Sequence, residues 1–183
     1  MLIAQQKQKE NIAEYILYMY QIEDVIRAYQ FDLKAIMDNY VKPHIPNPSF
    51  TETYRKWYDG MILDMQDQRI QISGHLVDLK EIMIEISYLH NTLINLKEDH
   101  KYKAVFERAL PMIEEFKDKS NLKDKNEIEI AFHAMYMKLL MRLQKKEISA
   151  ETEDAFDAMR VMLAYLSKAY AQMKAGDMDF LNN

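Results

Sequence analysis

The chain of 183 residues contains no cysteine, only 3 glycines and only 4 prolines. Without cysteine it can form no disulfide, no thiolate nucleophile and no cysteine-ligated zinc site. Isolated glycines cannot build the glycine-rich loops that bind phosphate, nor the sharp turn that carries a serine nucleophile. So few helix breakers leave little room for the many turns of a β-sandwich. These absences favour an all-α protein.

Long apolar runs and an excess of basic residues are also missing. The N-terminal segment has no apolar stretch after a basic start, and the run from Ile12 to Ile22 is interrupted by Glu14 and Gln21. We therefore expect no secretory signal and no membrane-spanning helix, and we predict a cytoplasmic protein with no membrane partner. The formal net charge of −5 disfavours nucleic acid as a partner, because phosphate neutralisation dominates such binding.

Apolar residues recur at spacings of three and four along most of the chain, which is the pattern of amphipathic helices. We predict an all-α fold, a bundle of about six mostly antiparallel helices. It forms one domain over residues 1–183, with a proline-rich loop at 42–49 and a flexible tail at 177–183. The predicted helices start near residues 6, 51, 75, 99, 126 and 149, and the first extends to about residue 40 with a bend near Gln30.

Several residue types mark where these helices begin and end. Asp99, Asn126 and Ser149 are predicted N-caps, because their side chains can accept hydrogen bonds from free backbone N–H groups. Pro111 is expected to kink or break its helix, since it lacks a backbone donor. Gly176 stands where a helix would end in the left-handed conformation.

The fifth predicted helix is apolar on two opposite faces. Such a helix either lies at the centre of the fold or is covered by a partner. One of its faces contains Ile130, Met137 and Met141, and we predict these residues as an interface with a second copy or another protein.

The first predicted helix places a charged residue within its apolar stripe. Glu23 lies beside Met19 and Ile26 along that stripe, and Arg27 follows four residues later in a favourable order for an ion pair. The pair is either a partly buried structural contact or the polar anchor of a ligand pocket. In the second case Glu23 and Arg27 bind the ligand together with the nearby tyrosines Tyr15 and Tyr18.

The sequence contains no convincing catalytic or metal-binding motif. It has neither a Glu-x-x-His pair nor an HExxH motif, so we predict no metal, no cofactor and no catalytic residue. The pair Asp64 and Asp67 has a spacing seen in magnesium-binding helices, but a solvated helix face explains it. Arg69 and His75 have the spacing found in helical ribonucleases of the HEPN type, although Gly74 would interrupt the helix that should carry them.

The opening segment carries the one resemblance to a known family. It reads IAQQK at 3–7, NIAEYILYM at 11–19 and QIEDVIRA at 21–28. It resembles the start of an uncharacterised bacterial family of about this length that is described only as a domain of unknown function. The resemblance is strongest over residues 3–31, and Tyr20 stands where a tryptophan is expected. It implies an all-helical protein and supplies no activity, cofactor or site residue.

These observations lead to one leading functional prediction and two alternatives. We predict a non-enzymatic helical interaction or adaptor protein that associates with itself. The first alternative is a small-molecule-binding bundle, or an enzyme, with a polar pocket around Glu23 and Arg27. The second is a helical ribonuclease that uses Arg69 and His75.

Overall fold

The structure is a computed structural model that describes residues 2–45 and 47–176. The described residues form eight α-helices and no β-strand. The helices are α1 (Ile3–Glu10), α2 (Ile12–Ala28), α3 (Leu33–Ile36), α4 (Thr51–Asp67), α5 (Val77–Asn91), α6 (His100–Lys119), α7 (Glu127–Leu143) and α8 (Ala150–Lys174). A π-helical turn, Met37–Val41, follows α3, a second one, Thr92–Leu96, follows α5, and a short 3₁₀ turn, Pro48–Phe50, precedes α4.

The long C-terminal helix α8 organises the core. It packs against α2, α5, α6 and α7, while α7 also contacts α2, α5 and α6. Helix α4 lies at the edge of this bundle against α3 and its π-helical turn. The largest fully buried side chains include Tyr58, Tyr102 and Phe132. Burial of such apolar surface supplies the main favourable term for folding.

The predicted all-α fold is confirmed, but its first helix is divided into separate pieces. Asn11 has extended backbone angles, and its side chain accepts hydrogen bonds from the N–H groups of Ala13 and Glu14. It therefore caps α2 and separates it from α1. The bend expected near Gln30 is a complete break, since Gln30 and Phe31 both have positive φ angles, which a helix does not contain.

The predicted helix that begins near residue 51 has an apolar pattern that includes Ile72, but α4 ends at Asp67 and Ile72 is 93% exposed. The helix predicted from residue 75 does continue to Leu96, through the π-helical turn that follows α5. Leu96, which the pattern places inward, is nevertheless 72% exposed. A 3.6-residue periodicity has no meaning outside the helix that generates it.

The cap predictions are confirmed, and Pro111 does not break its helix. The side chains of Asp99, Asn126 and Ser149 each accept hydrogen bonds from the N–H groups of the first turn that follows. Helix α6 runs through Pro111 without interruption. Pro111 and Glu107, whose carbonyl loses its helical donor, are both exposed, so water can hydrate that carbonyl.

The C-terminal end of α8 agrees with its glycine signal. Gly176 has a φ of +73°, the left-handed conformation expected just after a helix. The tail predicted at 177–183 lies outside the described residues. Over the part of the chain that the structure describes, no helix is long and apolar enough to cross a membrane.

Candidate functional site

The loop of residues 68–76, which joins α4 to α5, is fixed to α2 by Glu23. This side chain is fully buried. Its Oε1 accepts the backbone N–H of Leu76 at 2.9 Å, and its Oε2 accepts the Nδ1–H of His75 at 2.6 Å. Burying a carboxyl group is costly unless its oxygens find donors, and here both do. Glu23 thus holds the C-terminal end of the loop.

Arg27, one helical turn after Glu23, holds the middle of the same loop. Its Nε and Nη2 donate to the carbonyl of Ile70 at 3.3 and 3.2 Å, and Nη2 also donates to the carbonyl of Gly74. Its Nη1 forms an ion pair with Asp24 at 2.8 Å. The fixed fork of guanidinium donors suits several acceptors at once. Gly74 has a φ of +97°, a conformation that residues with a side chain rarely adopt.

Two tyrosines, Tyr20 and Tyr136, form an aromatic network against the ring of His75. Its ring stacks on Tyr20 with a centroid distance of 3.7 Å and an interplanar angle of 15°. Tyr20 meets Tyr136 edge to face at 5.7 Å, and the Tyr136 hydroxyl donates to Asp24 at 2.6 Å. Burial, and secondarily the nearby Glu23, raise the pKa of Tyr20, so its hydroxyl stays protonated. The network orients the imidazole and leaves its Nε2 without a protein donor or acceptor among the described residues.

A cleft with a volume of about 380 Å³ lies next to this loop, between α1, α2, α4 and α5. Gln68 and Leu76, at the two ends of the loop, form part of its wall. Gln68 also closes the loop, because its Oε1 accepts the N–H of Val77 at 2.8 Å. The buried lining consists of Ala4, Met19, Met61, Leu76 and Leu79, and the more exposed lining of Gln5, Gln8, Tyr15, Trp57, Asp64, Gln68 and Asp78.

One face of α4, together with Gln68 directly after it, provides a third of this lining. Trp57, Met61, Asp64 and Gln68 are spaced by four, three and four residues, so they form a single stripe along the helix. The stripe begins with an aromatic ring and ends with polar groups. The cleft therefore has an apolar side and a polar side.

The cleft is electrostatically negative. Asp64 and Asp78 are exposed, and neither forms an ion pair with another described residue. The lining contains no lysine, arginine or histidine from the described part of the chain. Burial and the charge of Asp78 raise the pKa of Tyr15, with burial the larger cause. The Tyr15 hydroxyl therefore remains a neutral hydrogen-bonding group.

Comparison with known protein families gives a match over almost the whole chain. The model of the family described as "Domain of unknown function (DUF4924)" matches residues 1–177. The chain belongs to the DUF4924 family. The resemblance seen in the opening segment thus extends over nearly all of the sequence. No curated protein and no solved structure matches the chain.

The predicted ligand-binding residues of this DUF4924 chain are divided between two places. Tyr15 lines the cleft. Glu23 and Arg27 do not line it but fix the loop that forms its wall. Tyr18 lies away from the cleft near Tyr40, and burial raises its pKa.

The three residues of the predicted interface on α7 differ in how far they are exposed. Ile130 is fully buried within the chain, so it cannot contact a partner. Met137 is 38% exposed and Met141 is half-buried. Helices α2, α5, α6 and α8 pack around α7, and this packing within the chain is sufficient to explain why α7 is apolar on two faces.

The ribonuclease prediction gains no geometric support. Arg69 and His75 lie in the loop between α4 and α5 and not on a helix. Arg69 has a positive φ of 56° and is exposed, whereas His75 is turned towards Glu23 and Tyr20. Among the described residues, no three histidine, aspartate or glutamate side chains are grouped so that they could hold a metal ion.

Sequence reasoning missed most residues of the cleft. Trp57 and Met61 belong to the apolar stripe of the predicted helix that begins near residue 51, which indicated only core positions, and Asp64 was expected on a solvated face. A usable signal exists in the stripe of α4, which continues an apolar pattern into Asp64 and Gln68 without a change of face. Such a stripe is typical of a helix that leaves the core along its length and there borders a cleft. Asp78, in the first turn of α5, carries no comparable signal.

Proposed function

We propose that the chain is a small-molecule-binding helical domain whose ligand occupies the cleft between α1, α2, α4 and α5. The cleft itself is the observation that supports this function. Its volume of about 380 Å³ falls within the range of small-molecule sites, which runs from roughly 300 to 1,000 Å³. Its lining combines buried apolar residues with the polar side chains of Gln5, Gln8, Asp64, Gln68 and Asp78, so it suits a polar ligand better than an apolar one.

The anchoring of the loop is consistent with a preformed site. Glu23 and Arg27 together hold the loop at Ile70, Gly74, His75 and Leu76. A wall that is already ordered loses little conformational freedom on binding, so more of the contact energy remains as affinity. The ion pair predicted between Glu23 and Arg27 is not formed, since Glu23 pairs with His75 and Arg27 with Asp24. Both residues nevertheless support the proposed ligand site, through the loop and without touching the ligand.

Trp57 allows a direct test, because it is the single tryptophan of the chain and lines the cleft. We expect some members of a library of small polar metabolites to change its fluorescence in a saturable way. Ala4→Leu should abolish this change, since Ala4 is buried in the cleft wall and a larger side chain would fill the space. Ala171→Leu, at an exposed position of α8, is the matched control and should bind normally.

Two results would contradict the proposal. One is a library in which no compound changes the emission of Trp57. The other is a change that persists unaltered in the Ala4→Leu variant, because the compounds would then bind elsewhere. Urea denaturation of both variants establishes first that each is folded.

Self-association remains a second candidate function, because one helix presents an apolar face to solvent. Val77, Ile84 and Tyr88 form one stripe on the outer side of α5 and are 46%, 68% and 66% exposed. Ile72 in the preceding loop is 93% exposed. An apolar surface of this kind is typical of interfaces, and a two-fold dimer would pair it with itself.

Native mass spectrometry tests the second candidate. We expect a homodimer that dissociates in Ile84→Asp. The control is Leu63→Asp, which changes an apolar residue on α4 with a comparable exposure of 55%. A wild-type monomer at micromolar concentration, or a dimer that both substitutions leave intact, would contradict self-association through α5.

A further inference from the structure

The charges that line the cleft determine which ligands it can accept. Asp64 comes from α4 and Asp78 from α5, and the lining offers no positive side chain from the described residues to neutralise them. An anionic ligand would be repelled by both carboxylates. A neutral apolar ligand would remove water from them and replace it with nothing, which is unfavourable.

The aromatic side chains point to the same class of ligand independently of the charges. Trp57 from α4 and Tyr15 from α2 line the cleft, and both are half-buried. The face of an aromatic ring attracts a cation, and tryptophan does so most strongly. Recognition of quaternary ammonium groups is a common use of such rings.

The surroundings of the cleft extend its negative potential. A neighbouring groove of about 390 Å³ shares Gln8 and Asp78 with the cleft and adds Glu81 and Glu85. Lys174 neutralises Glu85 through an ion pair at 2.7 Å, which leaves Asp78 and Glu81 uncompensated in the groove. Negative charge along a concave surface raises the local concentration of cations.

We infer that the cleft binds a small organic cation with an alkylammonium group, held between the rings of Trp57 and Tyr15 and the carboxylates of Asp64 and Asp78. This inference rests on the proposed ligand-binding function and specifies its ligand class. The apolar floor of Met61 and Leu79 receives the alkyl part. Gln5, Gln8 and Gln68 supply the hydrogen-bonding groups of the rim.

Titration with choline and with its neutral isostere, in which carbon replaces the quaternary nitrogen, separates charge from shape. Trp57 fluorescence and calorimetry measure binding. We expect choline to bind about tenfold more tightly than the isostere, because a cation–π contact and a surface ion pair together would provide a difference of that size.

Asp64→Asn and Asp78→Asn should each weaken choline binding about threefold and reduce its dependence on salt. Asp59→Asn, on α4 but outside the cleft lining, should change neither.

Each result has a defined meaning. Equal affinity for the two probes, binding of neither, or choline binding that both aspartate variants leave unchanged would overturn the inference about the ligand class. The metabolite library tests separately whether the cleft binds a ligand. A neutral or anionic compound that binds wild-type protein but not Ala4→Leu would support the proposed function and refute only the inference that the ligand is a cation.

Discussion

Replacing Glu23 with alanine is predicted to be among the most destabilising single changes in the loop region. The substitution leaves the buried N–H of Leu76 without an acceptor and removes the partner of His75. An unsatisfied buried donor costs about 1–3 kcal/mol, and the lost hydrogen bond to His75 about 1 kcal/mol more. We therefore expect the free energy of unfolding to fall by about 3 kcal/mol.

Glu23→Gln provides the matched comparison. Its amide oxygen can still accept the N–H of Leu76, and its NH₂ group can donate to the imidazole of His75 in the other tautomer. We expect a loss of only about 1 kcal/mol, because both hydrogen bonds survive without the charge.

Urea denaturation followed by circular dichroism measures both variants. With a slope of about 2 kcal/mol per molar urea, Glu23→Ala should lower the midpoint by about 1.5 M and Glu23→Gln by about 0.5 M. Equal shifts for the two variants, or an alanine variant within about 0.3 M of wild type, would refute the assignment of Glu23 as a hydrogen-bonding anchor of the loop.

Three further predictions concern the fold. Asn11→Ala removes the cap of α2 and should cost about 1 kcal/mol in a denaturation experiment, whereas Asn121→Ala in an exposed loop should cost almost nothing. Pro111→Ala restores a missing helical donor and should raise the thermal midpoint, and a lower midpoint would contradict the structure of α6. Burial lowers the pKa of His90 below 6.5, so its contribution to stability is complete above pH 6.5 and is lost as the pH falls below it. His90→Gln, which can still bind the hydroxyl of Tyr102, should therefore show a smaller loss of thermal stability between pH 7 and pH 5, and an unchanged loss would refute this origin.

Periodicity and capping residues were sufficient to predict the helical class and several boundaries. Asp99, Asn126 and Ser149 act through hydrogen bonds to adjacent residues, so their role is readable in a short segment. The break at Asn11 was missed because residues 5–10, QQKQKE, favour a helix and contain neither glycine nor proline. The early end of α4 was missed because its apolar pattern continues to Ile72, beyond the last helical turn.

The candidate site was harder to predict from the sequence than the fold. The charge of Glu23 within an apolar stripe led to a predicted ion pair with Arg27, but its partners in the structure are His75 and Leu76, more than 50 residues away. Nothing in the local sequence identifies them. The cleft depends similarly on four helices that meet only in the folded chain, and so its lining could not be assembled from any one periodic pattern.

Ile130 shows what cannot be inferred from the sequence of a helix that is apolar on two faces. Its burial was predictable from the spacing of apolar residues, but burial by this chain and burial by a partner leave the same pattern. Only the positions of α2, α5, α6 and α8 around α7 distinguish them. The exposure of the apolar stripe on α5 was not predicted either, because Ile84 and Tyr88 would fit equally well in a helix buried in the core.

Native mass spectrometry of the protein, purified gently from the cell that makes it, tests the ligand-binding account most directly. We expect wild-type protein to carry a discrete small-molecule mass in addition to its own, and the Ala4→Leu variant to be folded but to lack this mass. A wild-type protein without any added mass, or a mass that the Ala4→Leu variant retains, would contradict this expectation.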